Sequence, residues 1–141
     1  MTGSRGTDHA HAGMLRALYA DLTQIGQYTS DDVVYHLAHR DLGLDLPGKL
    51  YGKQAVIDCE LALHRATGGT LTACIDAVTA NDHFAAVTGT FHAEFAARPL
   101  AFPFCGVWRF RDGQIVEHWQ NAYDPAALHQ LLGDALVSPG Q

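Results

Sequence analysis

The sequence predicts an α+β domain in which helices are segregated from strands. Three observations carry this. Apolar residues recur at helical spacing in two early segments, 14–25 and 53–66. From Thr70 onward the period changes to that of strands and stays changed through Tyr123. Asn81-Asp82, Arg98-Pro99 and Asp112-Gly113 punctuate that stretch as turn signals, dividing it into four strands of an antiparallel meander. With 141 residues the chain is one domain, able to bury roughly 70% of its unfolded surface without covalent staples.

Each element follows in order. Residues 1–8 are polar and read as a flexible leader, 9–133 as the domain, and 134–141 as a frayed tail. Met14, Leu15, Leu18, Leu22 and Ile25 form one stripe of a first helix, with Thr7 or Asp8 as its cap. "DDVVYHLAH", from Asp31 to His39, is rich in β-formers and too short for an independent helix, so it reads as a strand; "RDLGLDLPGKLYG" then reads as a loop. A second helix runs from about Lys53 to Ala66, with Val56, Ile57, Leu61 and His64 sharing a face and Thr67-Gly68-Gly69 ending it. The four strands are "LTACIDAVTA", "HFAAVTGTFHAEFA", "LAFPFCGVWRFR" and "QIVEHWQNAY". Asp124 is an N-cap, Pro125 suits the first helical position, and Gly133 closes a short helix bearing Leu128, Leu131 and Leu132.

Composition removes several function classes. The formal charge of −6 is dispersed, so nucleic acid is not an expected partner. No apolar run is long enough to cross a bilayer and "MTGSRGTDHAHAG" lacks the apolar centre of a signal peptide, which predicts a cytoplasmic protein without membrane contact. Cys59, Cys74 and Cys105 are odd in number and set among apolar residues, as reduced thiols are. Nothing near them in sequence lowers a thiol pKa, so none is expected as a nucleophile. His9 and His11 sit in or beside the leader and "HLAH" lacks a ligand set, so no metal is expected. Glycine-rich phosphate loops, GxSxG and HExxH are absent from the sequence, and no cofactor is expected.

The order of helix, strand, "YGKQAV" opening a helix, and long strands ending in "GVWRFRDGQIVEHWQNAYDPAALHQLLG" resembles the nuclear transport factor 2-like superfamily. The resemblance covers about residues 10–133 and is closest to SnoaL-like polyketide cyclases and the limonene epoxide hydrolase branch. It implies a cone: a curved sheet wrapped round N-terminal helices, enclosing a deep apolar pocket, often in a dimer. That fold hosts many reactions and some non-enzymes, so chemistry has to be argued from residues.

Strand alternation puts Ile115, Glu117, Trp119, Asn121 and Tyr123 on one face and Val116, His118, Gln120 and Ala122 on the other, and alternation alone leaves open which face is interior. The resemblance implies that Asn121 lines the pocket, flanked by Trp119 and Tyr123, where epoxide hydrolases of this fold hold an acid. An amide orients a water or a carbonyl but exchanges no proton, which disfavours epoxide opening. On 87–95 the apolar face of Val87, Gly89, Phe91, Ala93 and Phe95 is expected inside, and Thr88, Thr90, His92 and Glu94 outside. Related enzymes use the first strand to position an oxygen, which selects Tyr35 and, beside it, His36, whose type titrates near pH 6.5. His118 is weighed alike. Phe91, Phe104 and Leu37 are assigned with Trp119 and Tyr123 to the substrate wall, and Phe102, Trp108 and Phe110 add aromatic bulk.

The sequence thus predicts cofactor-independent acid–base chemistry, namely cyclisation, isomerisation or dehydration, on a small apolar ligand of polyketide or terpenoid kind. His36 or His118 would carry the proton, with Tyr35 and Asn121 holding an oxygen. The alternatives are a ligand-binding or dimeric interaction module of the same fold, or an epoxide hydrolase. A homodimer through the sheet is expected because Phe84, Val87, Phe102 and Val107 offer apolar surface on differing faces.

Overall fold

The first apolar stripe does not continue as one helix. In the computed structural model, which describes residues 9–43, 47–95 and 97–130, helix α1 spans Ala10–Ala20 and a 3-10 helix follows at Leu22–Gln27. Asp21 makes the break: its backbone is extended and its carboxylate accepts the Thr23 N–H at 3.1 Å, which starts a new turn. The cap of α1 is His9, whose Nδ1 accepts from the His11 N–H at 3.0 Å. The expected caps Thr7 and Asp8, the leader 1–8, the tail 134–141 and Leu131, Leu132 and Gly133 lie outside the described residues.

Strand β1 covers Thr29–His36, starting two residues and ending three residues earlier than predicted. The presumed loop after it contains a further strand, β2 at Lys49–Tyr51, paired antiparallel with β1 through Val34↔Tyr51. Three residues among Gly and Pro give no periodic signal, so only the pairing reveals it. Helix α2 spans Lys53–Ala66, as the sequence predicts. Strands β3 (Thr72–Ala80), β4 (Phe84–Phe95), β5 (Arg98–Arg111) and β6 (Gln114–Ala122) form the expected meander.

The sheet has six strands in the order β2-β1-β6-β5-β4-β3. Among the described residues only β1 and β6 are parallel, with Tyr35 beside His118, so the sheet is mixed. Asp112 and Gly113 have φ of 53° and 78°, the left-handed pair a two-residue hairpin demands. At the first turn the Asn81 carboxamide oxygen accepts the N–H groups of His83 and Phe84, both at 2.8 Å. Arg98-Pro99 is not a turn, contrary to expectation: Pro99 stands in the ladder opposite Glu94, and Ala97 takes a φ of 64° at the reversal. Irregular pairing at Ile75/Ala77 and Arg109/Phe110 bends the long strands.

Helices pack into the concave face. Leu15 and Leu18 of α1, Ile25, Val33, Val56 of α2, Val78, Val87 and Ile115 are wholly buried. Each such side chain stabilises by about 1.5–3 kcal/mol, so this end of the concavity is filled. On β4 the predicted inner face is confirmed, with Val87, Gly89 and Ala93 buried while Thr88, His92 and Glu94 are exposed.

Candidate functional site

The inner face of β5 carries Phe102, Phe104, Gly106, Trp108 and Phe110 in succession. At Gly106 a Cβ would lie 2.7 Å from the Tyr19 hydroxyl, 3.1 Å from His118 Cε1 and 3.2 Å from Trp108 Nε1, so glycine alone lets these three polar rings converge. Beyond this point the concavity is hollow. The cavity measures about 190 Å³, walled by Leu22, Leu37, Leu63, Leu71, Phe91, Ala93, Phe102 and Phe104. An engineered apolar cavity of about 150 Å³ takes up benzene, so this one suits a ring-sized molecule. Phe91 and Phe104 stack with centroids 4.1 Å apart, and Tyr19 stacks on Phe104 at 5.3 Å.

Besides Thr67, Gln120, His39 and His129, four polar groups of this mostly apolar wall bear on chemistry. Trp108 Nε1–H donates to the Tyr19 hydroxyl at 3.2 Å, and burial raises the Tyr19 phenol far above its ordinary value. The Tyr35 hydroxyl is buried and has no hydrogen-bond partner among the described residues; burial keeps it protonated too. His118 is 4% exposed and sandwiched by Trp108, at 3.5 Å between centroids, and Tyr35, at 4.7 Å edge-on. Its Nδ1–H donates to the Val107 carbonyl at 3.0 Å. A carbonyl cannot donate, so this bond fixes the tautomer and leaves Nε2 an acceptor. Burial, only partly offset by that bond, pulls the imidazole down to about 3, so it is neutral at physiological pH.

The fourth group is Glu60 of α2, which the sequence reading overlooked. The face of α2 turned to the cavity holds Cys59, Glu60, Leu63 and, at the cap, Thr67. The predicted face of Val56, Ile57, Leu61 and His64 is rotated from it: Val56 is buried as expected, whereas His64 is exposed. Apolar spacing fits both rotations, and a charged residue reads as solvent-facing until tertiary packing turns it inward. Glu60 is the lone carboxylate of the cavity wall, and no Lys or Arg lines it among the described residues. Glu60 is half-buried, and desolvation pushes its carboxyl from 4.5 up to about 7. Cys59 beside it is pushed up to about 12, first by burial and then by the Glu60 charge, so it stays a thiol.

The remaining predicted residues fall elsewhere. Tyr35, His118, Phe91, Phe104 and Leu37 do line the cavity. His36, Trp119 and Asn121 occupy the opposite, convex face of the sheet, because the face of β6 turned inward is that of His118 and Gln120. His36 Nε2 donates to Glu117 at 2.6 Å, Arg109 Nε–H donates to the same carboxylate at 3.1 Å, and the His36 ring stacks on Trp119 at 5.1 Å. Desolvation alone would raise Glu117, yet these two bonds outweigh it and lower the carboxyl. Asn121 Oδ1 accepts from Arg40 Nη2 at 2.7 Å, while Arg40 Nη1 bonds the Leu37 and Gln120 carbonyls, so the amide fastens the segment after β1. Tyr123 is 86% exposed. The expectation that Asn121 lines the pocket between Trp119 and Tyr123 is therefore corrected.

At the mouth, Pro125, Leu128 and His129 of a helix at 125–130 join His39. Asp124 caps this helix as predicted, its carboxylate accepting the Ala127 N–H at 3.1 Å. Among the described residues no group of three or more His, Cys, Asp or Glu is placed to hold a metal ion, and no helix is long and apolar enough to cross a membrane.

The fold is shared with known structures. Bal32a from a soil-derived mobile gene cassette superposes with a TM-score of 0.74 at 21% identity, over 86% of this chain and 95% of that one. IdmH from Streptomyces antibioticus, described as a candidate polyketide cyclase, gives 0.67 at 20% identity over 87% and 99%. TerC, co-crystallized with polyporic acid, gives 0.69 at 18% identity over 86% and 97%. Among curated proteins none matches the chain significantly. The model of the SnoaL-like domain matches residues 14–118, and with the mixed curved sheet and its helices in place, the chain belongs to the SnoaL-like domain family of the nuclear transport factor 2-like fold.

Proposed function

We propose that the protein is a SnoaL-type enzyme that cyclises, isomerises or dehydrates a small, ring-bearing, mostly apolar molecule by acid–base chemistry without a cofactor. The observation that supports this is the buried Tyr35 hydroxyl, unpartnered among the described residues, on a ring packed edge-on against His118, whose Nε2 is left an acceptor, in a largely apolar cavity. A buried polar atom left without a partner costs about 1–3 kcal/mol, and a ligand oxygen would recover that cost. Tyr35 donates to such an oxygen, and His118, neutral and fixed, accepts from a ligand hydroxyl. His118 is too weak a base to carry the proton itself, which revises the role expected for a histidine. The ligand complex of TerC, a relative in fold, is in keeping with a small organic occupant. A homodimer through the convex face and a cytoplasmic setting belong to the same reading.

Incubation with a panel of neutral linear and cyclic polyketones, followed by mass spectrometry and chromatography, tests the reading. The expected product has either the mass of its substrate or that mass less one water, and Tyr35→Phe should slow its formation by roughly 10²-fold. Panel members that bind and return unchanged would instead identify a binding module.

A further inference from the structure

We propose that Glu60 is the catalytic base of this cavity, abstracting a proton from the carbon next to a carbonyl of a neutral, enolisable ring ketone. This deepens, and rests on, the acid–base reading above. Three observations point to it. Glu60 is the lone carboxylate among the lining residues, reached through the cavity, and no hydrogen bond to its oxygens is formed by the described residues. Glu60 is half-buried at the cavity wall, and with no donor from the described residues its oxygens are available for a substrate proton. Glu60, Tyr19 and Tyr35 all line the same hollow, so the base and the oxygen-holding groups face one cavity. The lining offers no Lys or Arg among the described residues, hence nothing to neutralise a carboxylate or phosphate, which selects a neutral ligand.

The step balances within these groups. A Glu60 carboxylate oxygen takes the proton as the C–H bond breaks, the C–H electron pair becomes the enol double bond, and the carbonyl π pair moves onto oxygen. That oxygen is held by the Tyr35 O–H. Return of the proton from Glu60 to the same carbon regenerates the ketone, and return to another position isomerises it. At neutral pH both forms of Glu60 are populated, because burial places its carboxyl at about 7, the range in which a general base works best.

The test uses 2-tetralone, a bicyclic ring ketone, in deuterated buffer. Nuclear magnetic resonance follows exchange of the hydrogens beside its carbonyl, and tryptophan fluorescence follows binding, since Trp108 lines the cavity. Wild-type protein should accelerate exchange, with a rate that rises through a single ionisation near neutrality. Glu60→Gln should bind the ketone within about threefold of wild type and exchange it roughly 10²- to 10⁴-fold more slowly, while Glu60→Asp, which keeps a carboxylate in a displaced position, should retain part of the rate. Wild-type exchange in Glu60→Gln overturns the assignment. Binding of 2-tetralone without accelerated exchange by wild type also overturns it, yet leaves the cavity a small-molecule site. Failure of wild type to bind the ketone removes both.

Discussion

The half-buried Glu60 and the buried His118 both line this cavity with shifts of opposite sense, and stability reports each. The folded state holds the Glu60 carboxyl at about 7, above its ordinary 4.5, so between those values the folded chain binds more protons than the unfolded one. Stability contributed by Glu60 is therefore lost as pH rises through that window, by an amount on the order of 3 kcal/mol at most. Glu60→Gln should match wild type below the window and exceed it above pH 7. His118 works in the opposite sense. Held at about 3 against an ordinary 6.5, it makes the unfolded state the better proton binder, so stability falls as pH drops from 6.5 towards 3. Denaturant titrations of Glu60→Gln and His118→Gln across this range should flatten one limb each of the wild-type profile. An unchanged profile in either variant would show that its side chain is solvated in the folded state.

Among the elements, β5 decides where core ends and cavity begins. Its inner face runs from Phe110 and Trp108, packed beneath the helices, across Gly106 to Phe104 and Phe102 at the hollow. Gly106→Ala would press a methyl on the Tyr19 hydroxyl and the His118 and Trp108 rings at separations of 2.7–3.2 Å. Overpacking of this kind costs about 1–3 kcal/mol, and here it would also part the Tyr19–Trp108 hydrogen bond. The variant should melt lower and lose ketone binding together, whereas Asn121→Leu, on the convex face, should lower the melting temperature while leaving ligand affinity unchanged. The latter change removes the acceptor of Arg40 Nη2, while Nη1 keeps the Leu37 and Gln120 carbonyls, at a cost of about 1–3 kcal/mol.

For the whole molecule, the convex face of the sheet is where the proposed homodimer would form. Phe84 is 46% exposed, and Val107, Cys105 and Trp119 are half-buried on that face, whereas Val87 is buried and Phe102 belongs to the cavity. The apolar surface counted from sequence is thus smaller than expected but concentrated on one side. A homodimer through it should sediment at twice the chain mass of 15.2 kDa, and Val107→Asp should shift it to monomer while sparing the cavity on the other side of the sheet. Sedimentation of the wild-type protein as a monomer at micromolar concentration would remove the proposal.

Periodicity and turn chemistry were enough to determine the α+β class, α2, the four long strands and the Asp112-Gly113 hairpin, because each rests on local backbone preferences spread over many residues. The motif from Trp108 to Trp119 was enough for the family, and alternation for the inward face of β4, where one side is apolar and the other polar. On β6 both faces mix aromatic and polar residues, so the facing was decided only by pairing with β1 and β5, which sent His118 inward and Asn121 outward. The same holds for α2: two helical rotations satisfy its apolar spacing, and only packing against the 3-10 helix and β1 turned Glu60 into the hollow. A carboxylate facing the hollow is a tertiary fact, since no short stretch of sequence fixes which rotation of α2 packs against the 3-10 helix and β1.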